Sequence, residues 1–159
     1  MANSCIWRQG FVSLQQNLKK EKNMALLAVL EFGDNSIQRY SKQYLVSDCR
    51  FVFDRNHNAF SPEGAARCNQ IEVVVVAPGR NDLGLFQWFS NQESLDGRIV
   101  ISLGGSKPGV DDTQVIFFEN AKCFALSEMY DIGSSRRRLL KLLIGSEKIE
   151  IDGVTFNRV

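Results

Sequence analysis

Short runs of apolar residues, alternating or continuous and closed by turn formers, recur along the chain and predict strands. Residues 25–32 read as an apolar strand closed by the turn-like GDNS at 33–36. Residues 44–53, YLVSDCRFVF, form a second, interrupted at Ser47 and Asp48, where a bulge would keep the two ends in register. The run at 71–76, IEVVVV, is β-branched on both alternating sets. Residues 98–103, 113–130 and 138–151 complete the series, separated by GGSKPGVDD and DIGSS. Successive strands without alternating helices predict a mainly β fold, an antiparallel β-barrel of two packed sheets.

One stretch breaks the pattern. In NDLGLFQWFSNQ, from Asn81, the residues Leu85, Trp88 and Phe89 stand at the i, i+3, i+4 spacing of one helical face and are expected to anchor a short α-helix to the barrel. Asn81 or Asp82 is expected to cap its first turn, Phe86 projects elsewhere, and Asp96-Gly97 reads as the turn before the next strand. About ten helical residues measure roughly 15 Å. That is too short to cover several strands.

The coverage matters because several strands are apolar on both faces. Val73 and Val75 share one side, Val74 and Val76 the other. Val115 to Phe118 and Leu139 to Ile144 repeat the pattern. A closed barrel buries only its interior, so the outer faces are covered either by the helix and the termini or by other copies of the chain, and the shortness of the helix favours other copies. Phe86, Val74, Val76, Leu140 and Leu142 are the expected subunit contacts.

A length of 159 residues suits one domain, and 19 basic against 18 acidic residues leave a net charge of +1, which steers the chain toward neither nucleic acid nor an anionic membrane. The Arg136-Arg137-Arg138 run leads straight into an apolar strand and lacks the interleaved aromatics of a nucleic-acid binder. Cys5, Cys49, Cys68 and Cys123 are too dispersed for C-x-x-C chemistry and read as reduced thiols. His57, the one histidine, reads as a loop residue. No phosphate loop, nucleophile elbow or zinc-protease pair occurs, so neither catalysis nor a metal or cofactor is expected. No apolar run reaches the roughly 20 residues of a membrane span, and residues 1–23 lack the apolar stretch of a secretory signal. For residues 1–23 two readings stand: an extension, helical or disordered, or sequence upstream of a start at Met24. Residues 24–159 are expected to be the barrel domain.

The order of elements resembles a known family. Asp82, Leu83, Phe86 and Trp88 in the helix, then Asp96-Gly97-Arg98-Ile99-Val100, then Phe118-Glu119-Asn120-Ala121-Lys122-Cys123, then KLLIGSEKIEIDGV at 141–154 look like the Hcp or TssD tube protein of bacterial type VI secretion, in its Bacteroidetes form. The resemblance implies a β-barrel with one helix that forms hexameric rings, and rings that stack into a hollow inner tube. It implies as partners a VgrG spike, a contractile sheath and effector proteins. It also implies assembly in the bacterial cytoplasm and secretion without a signal peptide. The long loop at 54–69 would then reach the adjacent ring, with Phe60 as its hydrophobic anchor and Arg55, Glu63 and Arg67 as polar contacts. The chain departs from the family at Cys68-Asn69-Gln70 and at its end, Phe156 to Val159, positions that bear on stacking more than on fold. The alternative function is a monomeric or dimeric β-barrel module that binds a carbohydrate or peptide.

Overall fold

Alternation in the first strand puts Ala28, Leu30 and Phe32 on one side, all buried and Leu30 completely so. This strand, β1 (Leu27–Asp34), is followed by β2 (Arg39–Asp54), β3 (Arg67–Val76), the helix α1 (Gly84–Asn91), β4 (Leu95–Ser102), β5 (Thr113–Tyr130), β6 (Arg138–Gly145), β7 (Lys148–Ile151) and β8 (Val154–Asn157). These elements come from a computed structural model that describes residues 27–102, 113–130, 132–133 and 137–158. The N-terminal segment, the expected loop at 104–112 and Arg136 lie outside the described residues.

All pairings are antiparallel, and the order β4-β1-β2-β3-β6-β5 closes on itself through β4–β5. The β7–β8 hairpin continues from β5. The fold is thus the expected antiparallel barrel, with one short helix among the described residues.

Two long strands turn the corners between its layers, and both do so by changing which side chains face inward. In β2, Tyr44 and Val46 are buried, the register slips between Val46 and Asp48, and thereafter Cys49 and Phe51 pack on the core. The slip lies where Ser47 and Asp48 interrupt the apolar pattern. In β5, Ile116 and Phe118 point inward, then Ala121 and Cys123. Between them lie Glu119 and Asn120, the latter with φ of +51°, a left-handed conformation open to asparagine. Its amide donates to Asp96 Oδ1 at 2.8 Å and its side chain to Glu147 Oε2 at 3.0 Å. An extra residue of this kind bends a strand and raises its twist.

The expected strand at 138–151 is divided. The Ser146 hydroxyl, buried at the break, lies 2.6 Å from Glu119 O and 2.8 Å from Lys148 O and ends β6 before β7 begins. Asp96-Gly97, expected as a turn, lies inside β4. Gly97 is needed there because a Cβ would stand 2.7 Å from Phe118 Cζ and collide with the Glu31 carbonyl. Gly97→Ala is expected to cost about 1–3 kcal/mol through overpacking. A shift of the urea midpoint measures it, and an unchanged midpoint would contradict the close approach.

Phe32 sits at the centre of the core, edge-on to Trp88 at 5.0 Å, Phe118 at 5.9 Å and Tyr44 at 6.1 Å between ring centroids. Through Trp88 it ties α1 to the end of the barrel.

Candidate assembly surface

The second layer is the four-strand run β2-β3-β6-β5, and among the described residues part of each outer edge is unpaired. Residues 39–46 of β2 pair with β1, whereas residues 48–54 pair with β3 alone among the described residues. Residues 116–118 of β5 pair with β4 on one edge and β7 on the other. From Lys122 to Tyr130, β5 pairs with β6 alone among the described residues, because β4 begins at Leu95 opposite Ala121. Each open edge presents backbone N–H and C=O groups that can take another strand. The β5 edge also carries exposed apolar side chains: Phe124 at 50 %, Met129 at 43 % and Tyr130 at 66 %.

The loop between β2 and β3 is built by its own polar groups. Asn58 Oδ1 accepts from the amides of Phe60 and Ser61, both at 2.8 Å, and Asn58 Nδ2 donates to Glu63 at 2.5 Å. At the base, Arg67 donates from Nε to Asp54 at 2.8 Å and from Nη2 to Asn56 Oδ1 at 3.3 Å, while Asn69 also donates to Asp54. Glu63 and Arg67 therefore spend their polar groups inside the loop, and Arg55 is exposed. Phe60 anchors nothing in its own chain and stands 98 % exposed near the tip. His57 faces Pro62 across an isolated bridge.

The helix and the strand faces correct several expectations. Leu85 and Trp88 are 2 % exposed, but Phe89 is 40 % exposed and is no core anchor. It overhangs β5 beside Lys122, Cys123 and Phe124, where it borders an open cavity of about 400 Å³. Phe86, expected at a neighbour, is half-buried against the chain's own core. Leu140 and Leu142 are fully buried inside the single chain, because inward alternation along β6 selects 140, 142 and 144. They cannot be subunit contacts; the outward positions are Leu139, Lys141 and Leu143. Val74 and Val76 do face outward, half-buried. Leu83 occupies the helix N-cap position without a side-chain cap, while Asp82 Oδ1 accepts from the Gly84 amide at 2.9 Å.

A polar cleft of about 450 Å³ lies between α1 and the β1–β2 turn, lined by Asp34, Lys42, Gln87, Asn91, Glu93 and Asp96 among others. Nearby, the Tyr44 hydroxyl is buried without a hydrogen-bond partner. No group of three or more His, Cys, Asp or Glu among the described residues is placed to hold a metal. No helix among them is long and apolar enough to cross a membrane.

Cys49, Cys68 and Cys123 are free thiols. Burial raises all three, and takes Cys123 from an ordinary 9.0 to about 11. A raised pKa means that the folded chain holds the thiol proton more tightly than the unfolded one. The stability it contributes is whole below 9.0 and is lost as pH climbs toward 11. Thermal melts at pH 8 and pH 10.5 are expected to show a lower midpoint at the alkaline value, and a smaller drop in Cys123→Ala than in the parent. Equal drops would remove Cys123 as a cause.

The barrel order, its single described helix and the long β2–β3 loop set the terms for comparison with known proteins. The family model for the hemolysin coregulated protein Hcp (TssD) matches residues 24–159. The chain belongs to the Hcp family. Hcp1 of Flavobacterium johnsoniae superposes with a TM-score of 0.64 at 21 % identity, over 83 % of this chain and 99 % of that one. The secreted Hcp3 of Pseudomonas aeruginosa gives 0.55 at 11 % identity, over 84 % and 97 %. The SPP1 tail-tube protein gives 0.52 at 10 % identity, over 84 % and 77 %. No curated protein matches the sequence. The Hcp family, and within it the Bacteroidetes resemblance, thus agrees with the reading of the sequence.

Proposed function

We propose that this Hcp-family chain is the tube subunit of a type VI secretion system. Copies close edge to edge into hexameric rings, and the rings stack into a hollow tube that carries effectors. The observation that carries this reading is the pair of open edges, residues 48–54 of β2 and 122–130 of β5, at opposite ends of one four-strand layer. Joining one edge to the other on the next copy is a heterologous contact, which closes into a ring when the rotation permits. The layer then continues through every subunit. A tail-tube protein of the same fold supports the reading. A VgrG spike, a contractile sheath and export without a signal peptide belong to the same proposal.

Light scattering on a sizing column and negative-stain microscopy test it. The full chain at micromolar concentration is expected to give rings of six. The double variant Phe124→Lys/Met129→Lys is expected to remain folded, since both side chains are already exposed in the single chain, and to run as a monomer. Lysine on an edge strand discourages strand addition. A wild-type monomer or dimer that nonetheless binds a small polar ligand would favour a binding module built on the cleft beside α1.

Stacking is proposed to use the β2–β3 loop. Phe60→Asp is expected to leave rings intact and to cut end-to-end tube formation at least tenfold by counting in micrographs, because each stacked contact would desolvate a carboxylate. Tubes formed at the wild-type level would remove Phe60 from the contact.

A further inference from the structure

The cleft beside α1 is a trough with unlike ends. At one end Gly84 leaves a gap ringed by polar groups: from the point where a Cβ would stand, Lys42 Nζ is 2.7 Å away, the Tyr44 hydroxyl 3.0 Å and Asp82 Oδ1 3.1 Å. Asp82 Oδ1 is already taken by the Gly84 amide. The other two are free. Tyr44 is 4 % exposed and its hydroxyl has no hydrogen-bond partner, while Lys42 pairs with no carboxylate among the described residues. A buried hydroxyl in that position costs free energy that a ligand acceptor would recover. The helix also starts here without a side-chain cap, so its positive end lies beside the same gap.

The opposite end is acidic. Gly84 and Asn91, the first and last residues of α1, both line the cleft. It therefore runs the length of the helix, roughly 10 Å. Beyond Asn91 stand Glu93 and Asp96. Each has one carboxylate oxygen engaged, Glu93 Oε1 by Asn91 and Asp96 Oδ1 by the Asn120 amide, and a second that accepts nothing among the described residues. Trp88, midway along the helix, and Phe32 against it add apolar wall between the two ends.

A molecule that matches both ends carries an anion at one and a cation at the other. An extended chain of about three residues spans roughly 10 Å, and its own termini supply the two charges. A lone metal ion or inorganic anion would satisfy one end only. We propose that the cleft binds short zwitterionic peptides, with the carboxylate on Lys42 and the Tyr44 hydroxyl and the ammonium on Glu93 and Asp96. The hydroxyl is shut off from water, so the carboxylate reaches it by shifting the flexible Lys42 side chain. The cleft shares no lining residue with the open edges of β2 and β5, so the proposal holds for ring and single chain alike and does not rest on the tube reading.

Isothermal titration of the full chain with the peptide Ala-Ala-Ala tests it. Saturable binding is expected, weakened at least tenfold by N-acetylation of the peptide and at least tenfold by its C-terminal amidation, each of which removes one charge-assisted contact. Lys42→Met, at an exposed position and verified as folded by circular dichroism, should lose at least tenfold, and amidation should then cost nothing more. Tyr44→Phe should weaken binding several-fold and leave the urea midpoint of the free chain no lower, because the hydroxyl it removes has no partner to lose. No saturable heat at millimolar peptide overturns the proposal and leaves the tube reading standing. Equal affinity for the three peptide forms, or full affinity in Lys42→Met or Tyr44→Phe, overturns it as well, because the peptide then binds elsewhere. So does a lowered midpoint in Tyr44→Phe, which would show the hydroxyl to be partnered within the chain.

Discussion

Trp88→Ala is expected to destabilise the folded chain by about 3–5 kcal/mol, the range for removing a large aromatic from a packed core. Trp88 is 2 % exposed, meets Phe32 edge-on at 5.0 Å and donates its indole N–H to Glu93 O at 2.9 Å. The substitution therefore opens a cavity at the end of the barrel, unpairs the Glu93 carbonyl and frees α1. Urea denaturation followed by circular dichroism measures the loss. Phe89→Ala is the control on the same helix: with Phe89 40 % exposed, its cost should stay below about 1 kcal/mol. Similar costs for the two would mean that the helix docks by a different face.

Arg98→Met is expected to cost about 3–5 kcal/mol, because it strands a buried carboxylate. Glu31 points to the outer face of β1 yet is only 7 % exposed. Arg98 Nε lies 2.5 Å from Glu31 Oε2, Gln43 donates to Glu31 Oε1 at 2.6 Å, and the guanidinium stacks over the Tyr40 ring at 4.1 Å. Tyr40 in turn donates to Asn35, which donates to the Phe118 carbonyl at 3.0 Å. Removing only the cation leaves the carboxylate's desolvation unmatched. Glu31→Gln combined with Arg98→Met removes both charges and is expected to recover most of the loss. A double-mutant cycle by urea titration measures the coupling. An additive cycle, with no recovery in the double variant, would show that the pair does not act as a unit.

The helix was legible in the sequence because two large apolar residues three apart, Leu85 and Trp88, specify one docking stripe. Phe89 fits the same stripe by spacing. It is left over the cavity beside Phe124 because the barrel beneath it has run out, and spacing carries no information about how far a neighbouring strand extends. The subunit contacts were less legible for a related reason. Val74 and Leu140 belong to runs apolar on both faces, and such a run does not reveal which alternate set points inward. Inverting the choice on β6 exchanges Leu140 and Leu142 for Leu139 and Leu143. The Glu31 cluster gave no sequence signal, since its members lie on different strands and meet only across the sheet.

By itself, the order of apolar runs and turn formers determined that this chain is an antiparallel β protein with a short helix, and the same order carried the family resemblance. It also placed one corner, at Ser47 and Asp48, because two polar residues inside an apolar strand announce a local break. The second corner, at Asn120, was decided only in the folded chain. Its left-handed backbone is held by Asp96 from β4 and Glu147 from the β6–β7 junction. The open edges of β2 and β5 were likewise decided by tertiary structure. An edge is open when the neighbouring strand stops, and where β4 stops relative to β5 depends on how the barrel closes, a relation between residues far apart along the chain.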